Sequence, residues 1–221
     1  MRDALKNESY YKNYLQFLNK TLIRFECLAE SYGGRKGNRP LRKYYMDKMS
    51  VLYSSGAEIA LIKEVYPKFL DCFIHTWTTE DGFEILLNTV SLAVLLNMKK
   101  ADMNLAMEFF EQENINDYAI DYLLHSIDQS WDIGKNPIRY PVRYAMLKDI
   151  ISSRSIAVAK DYLNKWYELH KDAAWYDSHK SKEDIYTGYW SYEVGAIIKV
   201  LGLNDLELQN QSYYPYDLVH F

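Results

Sequence analysis

Acidic side chains recur at helical spacing in the middle of the chain, where they could hold a metal ion or bind a basic partner. The residues that share this spacing are Asp117, Asp121, His125, Asp128 and Asp132. At about 100° per residue they fall within roughly 80° of one helix circumference. Three interpretations are open: a solvated helix face, a metal site built on Asp117, Asp121 and His125, or a stripe that recognises another protein.

Like charges four residues apart on a helix repel each other by roughly 0.2–0.5 kcal/mol per pair, so stacking them does not stabilise an isolated helix. A partner of complementary charge would provide a reason to keep them. We therefore predict that Asp117, Asp121, Asp128 and Asp132 contact a partner, and that Glu108 and Glu111 contribute to the same acidic region.

The charge is unevenly distributed, although the total is only −4. Residues 1–76 carry 13 Lys/Arg against 8 Asp/Glu, a net +5, whereas residues 77–132 carry 2 Lys against 11 Asp/Glu, a net −9. Phosphates would be repelled by such an acidic segment, which argues against direct nucleic-acid binding there. A basic protein would be attracted.

Sequence signatures of common enzymes are missing. The chain has no glycine-rich phosphate loop, no His-Glu-x-x-His pair and no Gly-x-Ser-x-Gly turn, and none of its five histidines has a Glu three residues before it. Cys27 and Cys72 lie 45 positions apart in apolar runs, which predicts reduced thiols. We expect no catalytic residue, metal or cofactor, with a helical metal-dependent enzyme and a generic helical scaffold as the alternatives.

Helical periodicity extends over most of the chain and predicts an all-α fold, a bundle or layered array of about nine helices. The first helix has a buried face from Tyr11 to Phe25 and ends at Gly33, and the second starts at Asn38-Arg39-Pro40. A third helix is predicted after the hinge Ser54-Ser55-Gly56. Further helices are predicted at 83–98, 101–112, 116–131, 138–151, 154–171 and 183–201, followed by an irregular tail from 204 to 221. We expect two helical regions, 1–112 and 113–221, packed as one globule.

The sequence offers no membrane anchor. Its start has no apolar signal core, and the most apolar stretch, Phe83 to Met98, is interrupted by polar residues. We expect a cytoplasmic protein.

The most specific residues lie near the C-terminus. They are Tyr162-Leu163-Asn164-Lys165-Trp166-Tyr167, Tyr186-Thr187-Gly188-Tyr189-Trp190-Ser191-Tyr192-Glu193 and Tyr214-Pro215-Tyr216-Asp217-Leu218. This order resembles the C-terminal region of PoNi immunity proteins, and Leu52 to Gly56 gives a weaker resemblance in the N-terminal half. Two departures are Ser55, where a basic residue is expected, and Gly195, where Ala is common.

The resemblance implies an all-helical antitoxin without catalytic residues, which binds a PoNe DNase toxin delivered between competing bacteria. The partner would be a cognate toxin nuclease, and a homodimer is left open. Within the motifs we expect framework roles rather than toxin contact for Gly188, Tyr189, Trp190, Glu193, Tyr214, Pro215 and Asp217.

Overall fold

A computed structural model describes residues 1–32 and 35–221, and within these ranges the chain is all-α, as predicted, with no β-strand. Ten α-helices are present in the described residues: α1 (Glu8–Tyr32), α2 (Arg35–Ser55), α3 (Ile59–Thr76), α4 (Phe83–Leu95), α5 (Lys100–Gln112), α6 (Tyr118–Ile127), α7 (Pro141–Ser153), α8 (Ile156–Leu169), α9 (Tyr192–Leu201) and α10 (Tyr216–Val219). Contacts divide the chain into two compact units.

The first unit contains Met1–Gly82 and Asp177–Gly188. Here α2 packs against both α1 and α3. The predicted inward face of α1 is confirmed by the buried side chains of Tyr11 and Leu18. Ile62 and Phe73 belong to a corresponding buried face of α3. The unit therefore has an aromatic and aliphatic core of its own.

The start of α2 differs from the prediction. The helix begins at Arg35, before the predicted Asn38-Arg39-Pro40 start, and therefore includes Pro40. Pro40 is the sixth residue of the helix, so its missing N–H removes one intrahelical hydrogen bond. The predicted helix end at Gly33 lies outside the described residues.

Residues 177–188 complete the first unit although they lie far along the sequence. The Tyr186 hydroxyl donates to Asp3 Oδ2 at 2.5 Å. The Tyr10 hydroxyl donates to the carbonyl oxygen of Tyr186 and accepts its backbone N–H. The Ser54 hydroxyl donates to the carbonyl oxygen of Thr187 at 2.7 Å. The two sequence segments that resemble the PoNi motifs, around Ser54 and around Thr187, are therefore in direct contact.

The second unit contains Phe83–Tyr176 and Tyr189–Phe221. Its central helix is α4, which packs against α9 and α6. Most side chains of α4 are buried, as its largely apolar sequence requires. α7 packs against α8, and both α7 and α10 contact α9.

Two helices of this unit are much shorter than predicted. α6 covers Tyr118–Ile127 rather than 116–131, and α9 begins at Tyr192 rather than 183. The predicted irregular tail contains a 3₁₀ turn at Leu206–Leu208 and the short helix α10. No α-helix in the described ranges is both long and apolar enough to cross a lipid bilayer.

Candidate protein-binding site

Asp117 caps the start of α6 and is fully buried. Its Oδ1 accepts the backbone N–H groups of Ala119 at 2.9 Å and Ile120 at 3.1 Å. Its Oδ2 accepts the backbone N–H of Arg139 at 2.6 Å. Both oxygens are therefore used inside the protein, one at a helix N-terminus and the other on the chain that leads into α7.

Asp121, one turn further along α6, is also buried. Its Oδ1 accepts the indole N–H of Trp131 at 3.1 Å, and its Oδ2 accepts the side-chain amide of Asn136 at 2.7 Å. On the same helix, His125 Nδ1 lies 2.7 Å from the carbonyl oxygen of Trp131. Together with Asp117, these side chains hold residues 131–139 against α6.

The predicted stripe of five side chains on one helix is therefore wrong in its geometry. α6 ends at Ile127, so Asp128 is its C-terminal cap and Asp132 lies beyond it. Asp117 and Asp121 point inward because each satisfies backbone or side-chain donors that would otherwise be buried without a partner. A partner cannot reach these two carboxylates in the folded protein.

Burial raises the pKa of both buried carboxyl groups, against the opposing effect of the hydrogen bonds they accept. The alternative of a metal site on Asp117, Asp121 and His125 finds no support in this arrangement, because the carboxylate oxygens of both aspartates accept hydrogen bonds from other groups of the protein. Within the described residues, no three His, Cys, Asp or Glu side chains converge in a way that could hold a metal ion.

Glu108 and Glu111, by contrast, are exposed on α5. The exposed face of this helix also carries Asp102 and Leu105, and Leu105 has 67 % of its surface exposed. Among the described residues, no Lys or Arg lies within ion-pair distance of Asp102, Glu108 or Glu111. We call these four residues, Asp102, Leu105, Glu108 and Glu111, the α5 face.

Asp128 and Asp132 differ in the number of groups that already bind their carboxylates. Asp128 pairs with Lys100 at 2.7 Å and accepts hydrogen bonds from Ser130. The hydrogen bond from Lys100, followed by those from Ser130, lowers the pKa of Asp128 to about 2. Asp132 is exposed and, within the described part of the chain, accepts only the backbone N–H of Gly134 in a local turn. Asp132 is thus the more available of the two for a partner.

Glu193, from the Gly-Tyr-Trp motif, is a buried carboxylate in the second unit. Its Oε1 accepts hydrogen bonds from the Tyr162 hydroxyl at 3.1 Å, the Trp166 indole at 2.8 Å and the Ser191 hydroxyl at 2.7 Å. Burial raises its pKa, while these donors oppose that effect. The motif residue thereby joins α8 to the start of α9.

The other motif residues have mixed environments. Tyr189 is buried among aromatic rings, and Gly188 has a positive φ of 109°, where glycine is favoured. The Tyr214 hydroxyl donates to buried Asp205 at 2.6 Å, and Pro215 packs where a Cβ on Gly195 would lie. These contacts support the framework interpretation, although Trp190 is only half-buried and Asp217 is exposed.

An aromatic cluster in the second unit was not foreseen from the sequence. It comprises Trp166, Tyr167, Trp175, Tyr176, Tyr189 and Tyr213, with ring centroids 4.3–6.4 Å apart in contacting pairs. The Trp175 indole donates to Glu84 Oε1 at 2.5 Å, and Arg143 pairs with both Glu84 and Asp172. The 21 tyrosines of the chain indicate such packing, but they do not indicate where in the fold it lies.

Comparison with known families assigns both halves of the chain. A family model described as PoNe immunity protein (PoNi), N-terminal, matches residues 2–107, and one described as PoNe immunity proteins (PoNi), C-terminal, matches residues 115–218. No curated protein matches the sequence.

Among solved structures, the chain is similar to protein PA2201 from Pseudomonas aeruginosa. The TM-score is 0.73 at 16 % sequence identity, over 99 % of this chain and 90 % of that one. At this identity the similarity establishes that the two chains share a fold.

Proposed function

The chain belongs to the family of PoNe immunity proteins (PoNi), and we propose that it binds a cognate PoNe toxin directly and blocks its DNase activity. Inhibition is by occupancy rather than by catalysis. Because a DNase of this kind attacks the DNA of the cell, the immunity protein would act in the cytoplasm. It would contact the toxin and not the nucleic acid.

The observation that carries this proposal is the exposed, unpaired acidic surface of α5. A nuclease must attract phosphate, so its DNA-binding surface is basic. Glu108 and Glu111 have no ion-pair partner among the described residues, and Asp132 adds a third exposed carboxylate to the proposed surface. Such a surface would accelerate association with a basic groove and exclude DNA from it.

Leu105 supplies the apolar part of the proposed contact. At about 100° per residue it lies between Asp102 on one side and Glu108 on the other. Protein interfaces commonly have an apolar centre within a polar rim. We therefore propose that the toxin presents an apolar depression with a basic rim.

Asp117 and Asp121 have a different role in this proposal. They do not touch the toxin, because they are buried, but they fix the segment 131–139 that carries Asp132. They are positioning residues. Asp128, paired with Lys100, contributes less than the unpaired carboxylates, because the lysine already neutralises it.

The test is a DNase assay with the purified cognate toxin and linear duplex DNA. The parent chain should stop cleavage at about one equivalent, and the variant Glu108→Gln/Glu111→Gln/Asp132→Asn should require an excess. A control with the same charge change elsewhere, Glu64→Gln/Glu183→Gln/Asp184→Asn, should inhibit like the parent. If the parent leaves cleavage unaffected in excess, direct inhibition is wrong. If both triple variants inhibit like the parent, the surface assignment is wrong and the family function stands.

A further inference from the structure

The outer face of α1 combines exposed apolar and basic side chains. Phe17 and Ile23 have 51 % and 62 % of their surface exposed. Lys20 and Arg24, also exposed, lie between them on the helix circumference, given the spacing of three and four residues. We call these four residues, Phe17, Lys20, Ile23 and Arg24, the α1 face.

The cations of this face are uncompensated. Among the described residues, no carboxylate lies within ion-pair distance of Lys20 or Arg24. The exposed acidic residues of α1, Glu8 and Glu30, lie near its two ends. A protein surface with an apolar centre and an acidic rim would complement this face.

The α5 face has the complementary composition. It carries Asp102, Glu108 and Glu111 around exposed Leu105, also without ion-pair partners in the described part of the chain. Each face therefore offers an apolar centre and several charges of one sign, and the two signs are opposite. This local complementarity follows the distribution along the sequence, +5 for residues 1–76 and −9 for residues 77–132.

We propose that the α1 face of one copy of this chain docks on the α5 face of a second copy. Leu105 would pack beside Phe17 and Ile23, and Lys20 and Arg24 would pair with Glu108, Glu111 and Asp102. One helix face on another buries less than the roughly 800 Å² per partner of stable complexes, so the association is weak and concentration-dependent. Its charge pairs are exposed, so salt weakens it.

The contact is heterologous, because it joins different surfaces of the two copies. Each pair therefore keeps one free α1 face and one free α5 face, to which further copies can add. The average mass should then increase continuously with concentration, without a plateau at the dimer.

This association would regulate the availability of the α5 face. A second copy covers the same carboxylates that the proposed function assigns to the toxin, so the toxin and a second copy exclude each other. That consequence rests on the proposed function, whereas the self-association itself does not.

The test is sedimentation of the full chain over a range of concentrations at low salt. The parent should exceed the mass of one chain, 26.1 kDa, and should return to it at roughly 0.5 M NaCl. Lys20→Glu/Arg24→Glu and Glu108→Lys/Glu111→Lys should each stay at the mass of one chain, because each repels itself. An equimolar mixture of the two variants should associate, because every acidic face then finds a basic one. Circular dichroism confirms that both are folded.

A control with the same charge change at other exposed lysines, Lys171→Glu/Lys182→Glu, should associate like the parent. The proposal is overturned if the parent stays at the mass of one chain at low salt, if either face variant associates as the parent does, or if the mixture of variants fails to associate. Toxin inhibition by the parent, measured separately, tells whether the proposed function stands in each of these cases.

Discussion

The carboxylate of Asp117 connects the start of α6 to the backbone of Arg139, 22 positions away. Oδ1 caps the helix through Ala119 and Ile120, and Oδ2 accepts the Arg139 N–H at 2.6 Å. An aspartate in an acidic segment therefore serves the fold, whereas its exposed neighbours remain available for a partner.

Replacing Asp117 by Ala should lower the free energy of unfolding by about 2–3 kcal/mol, because it removes a helix cap and leaves the partly buried Arg139 N–H without its partner. Asp132→Asn should change the free energy of unfolding by less than about 0.5 kcal/mol, because the position is exposed and asparagine keeps an acceptor oxygen. Urea denaturation measures both. If Asp117→Ala changed the free energy of unfolding as little as Asp132→Asn is expected to, Asp117 would have no structural role.

His170 should make the protein sensitive to acid. Burial is the main reason that its pKa is lowered from 6.5 to about 4, and the nearby Arg143 adds to the effect. The unfolded chain therefore binds a proton near pH 6.5 that the folded chain accepts only near pH 4. The stability contributed by His170 is complete above pH 6.5 and is lost as the pH falls toward 4, by roughly 1.4 kcal/mol per pH unit.

The variant His170→Asn isolates this effect, since it keeps a side-chain N–H that can donate to the carbonyl oxygen of Trp166 but cannot titrate in this range. Its absolute stability should fall through lost ring contacts, so the informative quantity is the difference from the parent as a function of pH. That difference should shrink between pH 6.5 and 4. A constant difference across this interval would contradict a buried neutral histidine.

Gly195 lies at a position in α9 where an added side chain would meet its neighbours. A Cβ at this position would lie 2.7 Å from Pro215 Cγ and 3.3 Å from Val219 Cγ2. Gly195→Ala should therefore destabilise the protein by about 1–3 kcal/mol through overpacking. In a Pro215→Ala background most of this cost should disappear, since the clashing ring atoms are gone. A thermal denaturation cycle with both single variants and the double variant tests the coupling, and additive effects would argue against the contact.

The helices that follow one local periodicity were predictable. Tyr11, Leu18, Ile62 and Phe73 recur on one face of their helices, and such a pattern depends only on neighbours in sequence. The packing of Tyr186 against Asp3 was not predictable, because the two residues are 183 positions apart and no local pattern connects them. The same holds for the placement of residues 177–188 in the first unit.

The candidate site was predictable only in part. Charge counting located the acidic segment, and Glu108 and Glu111 are exposed there. Charge counting did not predict the burial of Asp117 and Asp121. A spacing of four residues does not distinguish an exposed carboxylate from one that accepts hydrogen bonds from donors in a following loop. The shorter α6 changed the outcome as well, since it removes Asp128 and Asp132 from the helix.

The most direct test of the central claim compares the affinities of two proteins for the cognate PoNe toxin: the parent chain and the variant Glu108→Gln/Glu111→Gln/Asp132→Asn. Titration calorimetry measures both affinities at several salt concentrations. The chain concentrations are kept too low for self-association. We predict that the variant binds at least about tenfold more weakly at low salt, a difference of about 1.4 kcal/mol, and that its affinity changes less with salt. Equal affinity of both proteins at low salt, with equal salt dependence, would contradict recognition through the exposed acidic surface.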